Sequence, residues 1–113
     1  MRKDDSVYLR HVLDAICRIE EYTRDITYRD FLNNHLRQDA VIRQIEVIGE
    51  AVKKLSSELK KAHPEVPWKD VAGMRDKLIH DYFGVDLDAV WDTGEKDIPR
   101  LKDKIRAIVE PQE

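Results

Sequence analysis

Arg75, Asp76, His80 and Tyr82 stand close together in one charged and aromatic segment, Met74 to Gly84. If that segment is helical, Asp76 and His80 lie one turn apart on the same face, at i and i+4. A carboxylate placed there accepts a hydrogen bond from one imidazole nitrogen, fixing the tautomer and supporting the charged ring. Arg75 precedes His80 by five residues, about 140° around a helix that turns about 100° per residue, so only its long side chain reaches a shared pocket. A two-fold contact between copies of this helix would bring two such sets together. The chemistry these residue types suit is transesterification of RNA. His80 takes the proton from a ribose 2′-OH, whose oxygen attacks the neighbouring phosphorus, while the planar fork of Arg75 stabilises charge on the phosphoryl oxygens. The substrate carries its own nucleophile, so no metal or other cofactor is required. The same spacing also fits a plain surface: Asp–His pairs at i, i+4 are ordinary on helices, and Arg75 beside a surface acid is only an ion pair.

Apolar periodicity shows which elements must position these residues. Leu9, Val12, Leu13, Ile16 and Ile19 predict a first helix from about Asp5 to about Arg24, capped by Asp5 or Ser6. Cys17 beside that stripe reads as a buried packing thiol. After a break near Asp25, Thr27 caps a short helix containing Phe31 and Leu32. The longest helix is expected over roughly Leu36 to Lys61, with Val41, Ile45, Ile48, Val52, Leu55 and Leu59 as one seam. Ala40, Val47 and Ala51 form a second strip beside it. Gly49 within this helix costs about 1 kcal/mol relative to Ala, which a close helix approach would offset. These features suggest a helical dimer interface. His63 to Pro67 ends the helix. Pro67 and Trp68 open a fourth, marked by Val71, Met74, Leu78 and Tyr82 and terminated by Gly84. Asp86 then caps a short helix with Leu87, Val90 and Trp91, and Asp97 caps a last one with Ile98, Leu101, Ile105 and Ile108 facing inward. The expected fold is all-α, an up-and-down four-helix bundle with additional short helices.

Composition bounds the function. A chain of 113 residues suits one domain, and 38% charged against 42% hydrophobic residues suits helices with charged outer faces. The net charge is −3, from 20 basic and 23 acidic residues, too acidic for a protein that wraps duplex DNA electrostatically. Any nucleic-acid contact must be local, at one basic patch. A single cysteine excludes an internal disulfide and fits a reducing compartment. No stretch resembles a signal peptide or membrane helix, so a cytoplasmic location with no membrane partner is expected. Phosphate-loop, nucleophile-elbow and zinc signatures are absent, and none of His11, His35, His63 or His80 follows a Glu by three residues as a bundle di-iron site requires.

Met74-Arg75-Asp76-Lys77-Leu78-Ile79-His80-Asp81-Tyr82 resembles the Arg-x4-His-x-Tyr signature of HepT-like toxins of the HEPN superfamily. Ile45 to Ala51 resembles the Ile-Gly-Glu-Ala segment of the same family; Pro67-Trp68 and Ile98-Pro99-x-Leu101 also fit. The likeness covers essentially the whole chain, as a single HepT-like HEPN domain over residues 1–113. It implies a dimerising bundle, a homodimer whose site forms at the cleft between subunits, and metal-independent endoribonuclease activity centred on Arg75 and His80. It implies a partner as well: a minimal nucleotidyltransferase (MntA-like) antitoxin that transfers AMP from ATP onto Tyr82. The residue after the arginine is often Asn in this superfamily. Asp76 stands there instead, and beside His80 its charge would favour the protonated ring and disfavour RNA approach. Arg43, Lys53 and Lys77 are candidate RNA contacts, though helical cations are mostly just solvated. Glu50 reads either as part of a helix salt bridge or as a carboxylate near the cleft. Two other readings stand beside the toxin: a non-catalytic nucleotide- or substrate-binding subunit of a minimal nucleotidyltransferase, and a helical dimer with no site.

Overall fold

In the computed structural model, which describes residues 1–80 and 84–110, the first apolar stripe becomes α1, Lys3–Thr23. It buries Leu9, Val12, Leu13, Ile16 and Ile19 and packs along α3 (His35–Lys53) and α8 (Ile98–Val109). Cys17 corrects an expectation. It is exposed, because it falls about 100° beyond Ile16 and outside the buried stripe.

Neither Asp5 nor Ser6 caps α1. The N-cap position is Arg2, which makes no side-chain cap bond. Asp5 is buried one turn in, where it accepts hydrogen bonds from the backbone N–H of Ser56 at 2.8 Å and from its hydroxyl at 2.6 Å. Burial alone would raise the Asp5 carboxyl. The two Ser56 bonds, with Arg2 and the chain's amino terminus nearby, outweigh it and hold the group below the usual carboxylate range. A depressed folded-state pKa gives stability that is complete above the unfolded value and lost as pH falls through the folded one. Acid titration below the ordinary 3.8 is therefore expected to weaken the fold, and Asp5→Asn to flatten that limb of a stability-against-pH curve.

The same serine breaks the longest expected helix in two. α3 ends at Lys53, and α4 (Ser57–Ala62) starts afresh with Ser56 as N-cap, its hydroxyl accepting from the Leu59 N–H. The apolar seam crosses the break undisturbed, with Leu55 and Leu59 both buried, so periodicity alone cannot reveal it. Upstream, α2 (Tyr28–Leu32) forms as expected, with a capping box between Thr27 and Asp30. Asp25 makes the preceding turn at φ 62, a left-handed conformation that Asp tolerates better than most residues.

The expected fourth helix is also divided. α5 (Trp68–Ala72) and α6 (Met74–Leu78) meet at Gly73, and the Trp68 indole N–H ties α5 to the His63 carbonyl at 2.9 Å. The helix does not continue to Gly84. Ile79–His80 (β1) pairs antiparallel with Gly84–Val85 (β2), and the Asp86 N–H donates to the Leu78 carbonyl at 2.9 Å. Gly84 serves this hairpin through its φ of 82 rather than ending a helix. α7 (Leu87–Asp92) is capped by Asp86 as expected. Asp97 makes no cap bond, because a π-helical turn over Thr93–Asp97 carries the chain straight from α7 into α8. The buried positions across it are Val90, Thr93, Ile98 and Leu101; the five-residue step from Thr93 to Ile98 is the π turn itself. The fold is all-α apart from the short strand pair, around one apolar core. Among the described residues no helix is long and apolar enough to cross a membrane.

Candidate active site

Arg75 lies in the first turn of α6, half-exposed, with α3 beside it. α6 comes this close to α3 because Gly49 lets the α5 backbone in: a Cβ on Gly49 would stand 3.2 Å from the Ala72 carbonyl oxygen. The close approach expected from Gly49 is thus present within the chain. One turn before Gly49 stands Glu46, whose Oε2 accepts from Arg75 Nε at 3.4 Å. Asp76 Oδ1 lies 3.6 Å from Arg75 Nη1. The guanidinium is therefore held on two sides by carboxylates, one from its own helix and one from α3.

This changes the role of Asp76. α6 stops at Leu78 and Ile79 is extended (φ −119, ψ 120), so Asp76 and His80 do not share a helical face. His80 belongs to β1, where its backbone faces Gly84. Asp76 is exposed and turned to Arg75. Tyr82 lies outside the described residues.

Arg43, Glu50 and Lys53 occupy the same outer face of α3 as Glu46, all three exposed. Arg43 stands about 4.5 Å along the axis on one side of Glu46 and Lys53 about 10 Å on the other, at about 1.5 Å per residue. Lys77 is separate. It lies about 200° around α6 from Arg75, 3.9 Å from Asp70 and on the side away from α3. Glu46 is the site residue that periodicity did not single out. It sits at the edge of the buried stripe, and the signal for it was its position one turn before Gly49, where another helix has to pass.

Fold and site together define a small, predominantly helical protein that presents Arg75 at its surface between two carboxylates. The chain belongs to the HepT-like ribonuclease family: it matches the family described as "Ribonuclease HepT-like" over residues 12–108. It is 53% identical over 110 residues to a Methanocaldococcus jannaschii protein named "Gamma-glutamylcyclotransferase and putative RNase", a match covering 97% of this chain and 50% of that one. It is 48% identical over 108 residues to "Probable ribonuclease HepT" of Thermococcus cleftensis, covering 96% and 98% of the two chains. The chain thus spans half the length of the first relative and nearly all of the second. No solved structure matches it.

Proposed function

We propose that the protein is the toxin of a toxin–antitoxin pair, a cytoplasmic endoribonuclease that cleaves RNA by 2′-OH attack. The observation that carries this reading is the clamped guanidinium of Arg75 in a member of a ribonuclease family. A planar fork oriented at Nε by Glu46 and faced at Nη1 by Asp76 leaves Nη2 for the phosphoryl oxygens, where charge builds in the transition state. His80 removes the 2′ proton, the 2′ oxygen bonds to phosphorus as the bond to the 5′ oxygen breaks, and that oxygen takes a proton from water, leaving a 2′,3′-cyclic phosphate. The protein needs no metal for these steps, and cleavage is expected to persist in EDTA.

The working unit in this proposal is a homodimer. The outer face of α3 reads Asp39, Arg43, Glu46, Glu50 and Lys53, an order that complements itself when two copies cross antiparallel near Glu46. Arg43 then meets Glu50 of the second copy, and Asp39 meets its Lys53. The two Glu46 carboxylates would repel at the axis, and each already has Arg75 beside it. Reversing either Arg43 or Glu50 alone should weaken the dimer in sedimentation, and reversing both should restore it.

Control falls to a nucleotidyltransferase (MntA-like) antitoxin. The Tyr82 phenol oxygen bonds to the α-phosphorus of ATP, pyrophosphate leaves, and the added phosphate and adenine obstruct RNA. Expression alone, against Arg75→Ala and His80→Ala, tests the nuclease: harmless wild type with intact RNA would end the proposal. Intact mass after co-expression tests the switch, which requires an AMP-sized increment absent from Tyr82→Phe.

A further inference from the structure

On the far side of α6 from α3 a cavity of about 610 Å³ opens between α5–α6, the π turn and α8. Val71, Leu78, Ile98 and Leu101 give it an apolar floor, with half-buried Met74 beside them. Lys96 in the π turn and Arg100 and Lys104 on α8 line it at four-residue intervals. At about 1.5 Å of rise per residue, Arg100 and Lys104 stand about 6 Å apart along α8, close to one nucleotide step of an extended single strand, and Lys96 precedes them in the π turn.

These cations differ from Lys102 and Arg106 of α8. Lys102 is paired with Glu20 at 2.8 Å and Arg106 with Glu110 at 3.5 Å. Among the described residues, none of Lys96, Arg100 or Lys104 has a carboxylate within the 4.0 Å of an ion pair. At the far end of the row Lys104 adds a small share to holding the Glu65 carboxyl below its usual range, behind the hydrogen bonds that carboxylate receives from its own backbone and from His63. Asp70, Asp92 and Asp97 also line the cavity; Asp70 faces Lys77, and Asp92 and Asp97, beside Lys96 along the chain, oppose phosphate at that end.

We propose that this cavity and its cationic row form a binding groove for single-stranded RNA flanking the cleaved bond, with phosphates along Lys96, Arg100 and Lys104 and bases over the apolar floor. The inference rests on the ribonuclease reading for the identity of the strand. α6 joins the two places, with Met74, Lys77 and Leu78 turned to the groove and Arg75 to α3. A strand leaving Arg75 has only the width of this short helix to cross.

The test is fluorescence anisotropy of a labelled single-stranded oligouridylate titrated against wild type and the triple variant Lys96→Ala/Arg100→Ala/Lys104→Ala, at several salt concentrations. Each phosphate contact on a single strand contributes about 0.7 to the slope of log affinity against log salt. The triple variant should therefore lose about 2 from the slope and bind about 100-fold more weakly near 0.1 M salt. Asp92→Asn/Asp97→Asn should move affinity the other way. Equal affinity and slope in wild type and triple variant would overturn the groove, as would a wild type that does not bind the strand. RNA binding that survives in a triple variant no longer able to hold a co-expressed protein would assign the row to a protein partner and equally overturn it. Arg75→Ala separates the two proposals: if it cleaves normally while the triple variant binds weakly, the site at Arg75 fails and the groove stands.

Discussion

Replacing Arg75 with alanine is expected to reduce RNA cleavage by about 10²–10³-fold, the loss typical when one donor to a developing oxyanion is removed. The fold should survive. Arg75 is half-exposed and its ion pairs with Glu46 and Asp76 are long, at 3.4 and 3.6 Å, and exposed pairs of this kind contribute about 0–1 kcal/mol. Circular dichroism and the melting temperature should therefore stay close to wild type while turnover collapses. Arg75→Lys should fail nearly as badly, because an ammonium keeps the charge but lacks the planar fork. Glu46 separates orientation from charge. Its carboxylate competes with phosphate for the guanidinium, yet it also fixes the angle at which that guanidinium is presented. Glu46→Gln is expected to lower KM for RNA and to lower kcat with it, measured on a defined oligonucleotide. A rise in kcat would show that the carboxylate only obstructs.

The second large effect is expected at Gly49. Alanine there gains about 1 kcal/mol of helix propensity, but its Cβ would sit 3.2 Å from the Ala72 carbonyl oxygen. The neighbour is backbone, so α5 must shift by a few tenths of an ångström, and the two effects nearly offset. Gly49→Val adds two further methyl groups in the same space. Overpacking of this kind costs about 1–3 kcal/mol, several degrees in Tm for a chain of this size. The consequence for function is more specific. α5 and α6 are joined at Gly73, so a displaced α5 carries Arg75 away from Glu46. Thermal melts should show Val worse than Ala, and residual activity at low temperature should follow the same order. Equal melting of wild type and Gly49→Val would show that α5 does not press on α3.

Much of this architecture could be read from residue spacing, and most of the failures share one cause. The stripes of α1 and α8 repeat without interruption, and the caps at Thr27 and Asp86 act within their own turns. Apart from Cys17, which its own angular position places outside the stripe, each correction involves a partner distant in sequence or a hydrogen bond that leaves side-chain periodicity untouched. Ser56 breaks α3 from α4 with help from Asp5, far along the chain, while Leu55 and Leu59 keep the apolar rhythm on either side. α6 ends early because the Leu78 carbonyl finds the Asp86 N–H across a hairpin, an alternative that a helical reading of Arg75 to Tyr82 does not contain. Arg75 was legible by type and by family likeness. Glu46 was not, because its importance comes from a helix that Gly49 admits next to it.

The π turn at Thr93–Asp97 bears on how this chain can change length. A widened turn accommodates one residue more than a regular helix over the same rise, and here Val90 and Thr93 before it and Ile98 and Leu101 after it all still reach the core. The extra residue of the wide turn is accommodated with both halves still packed on the core. Relatives one residue shorter at this point can keep the same core with an unbroken α-helix. The surplus residue is spent on the surface, where it sets the phase of Lys96 relative to Arg100 and Lys104. Length variation here would then retune the outer face of the rod and leave its packing alone.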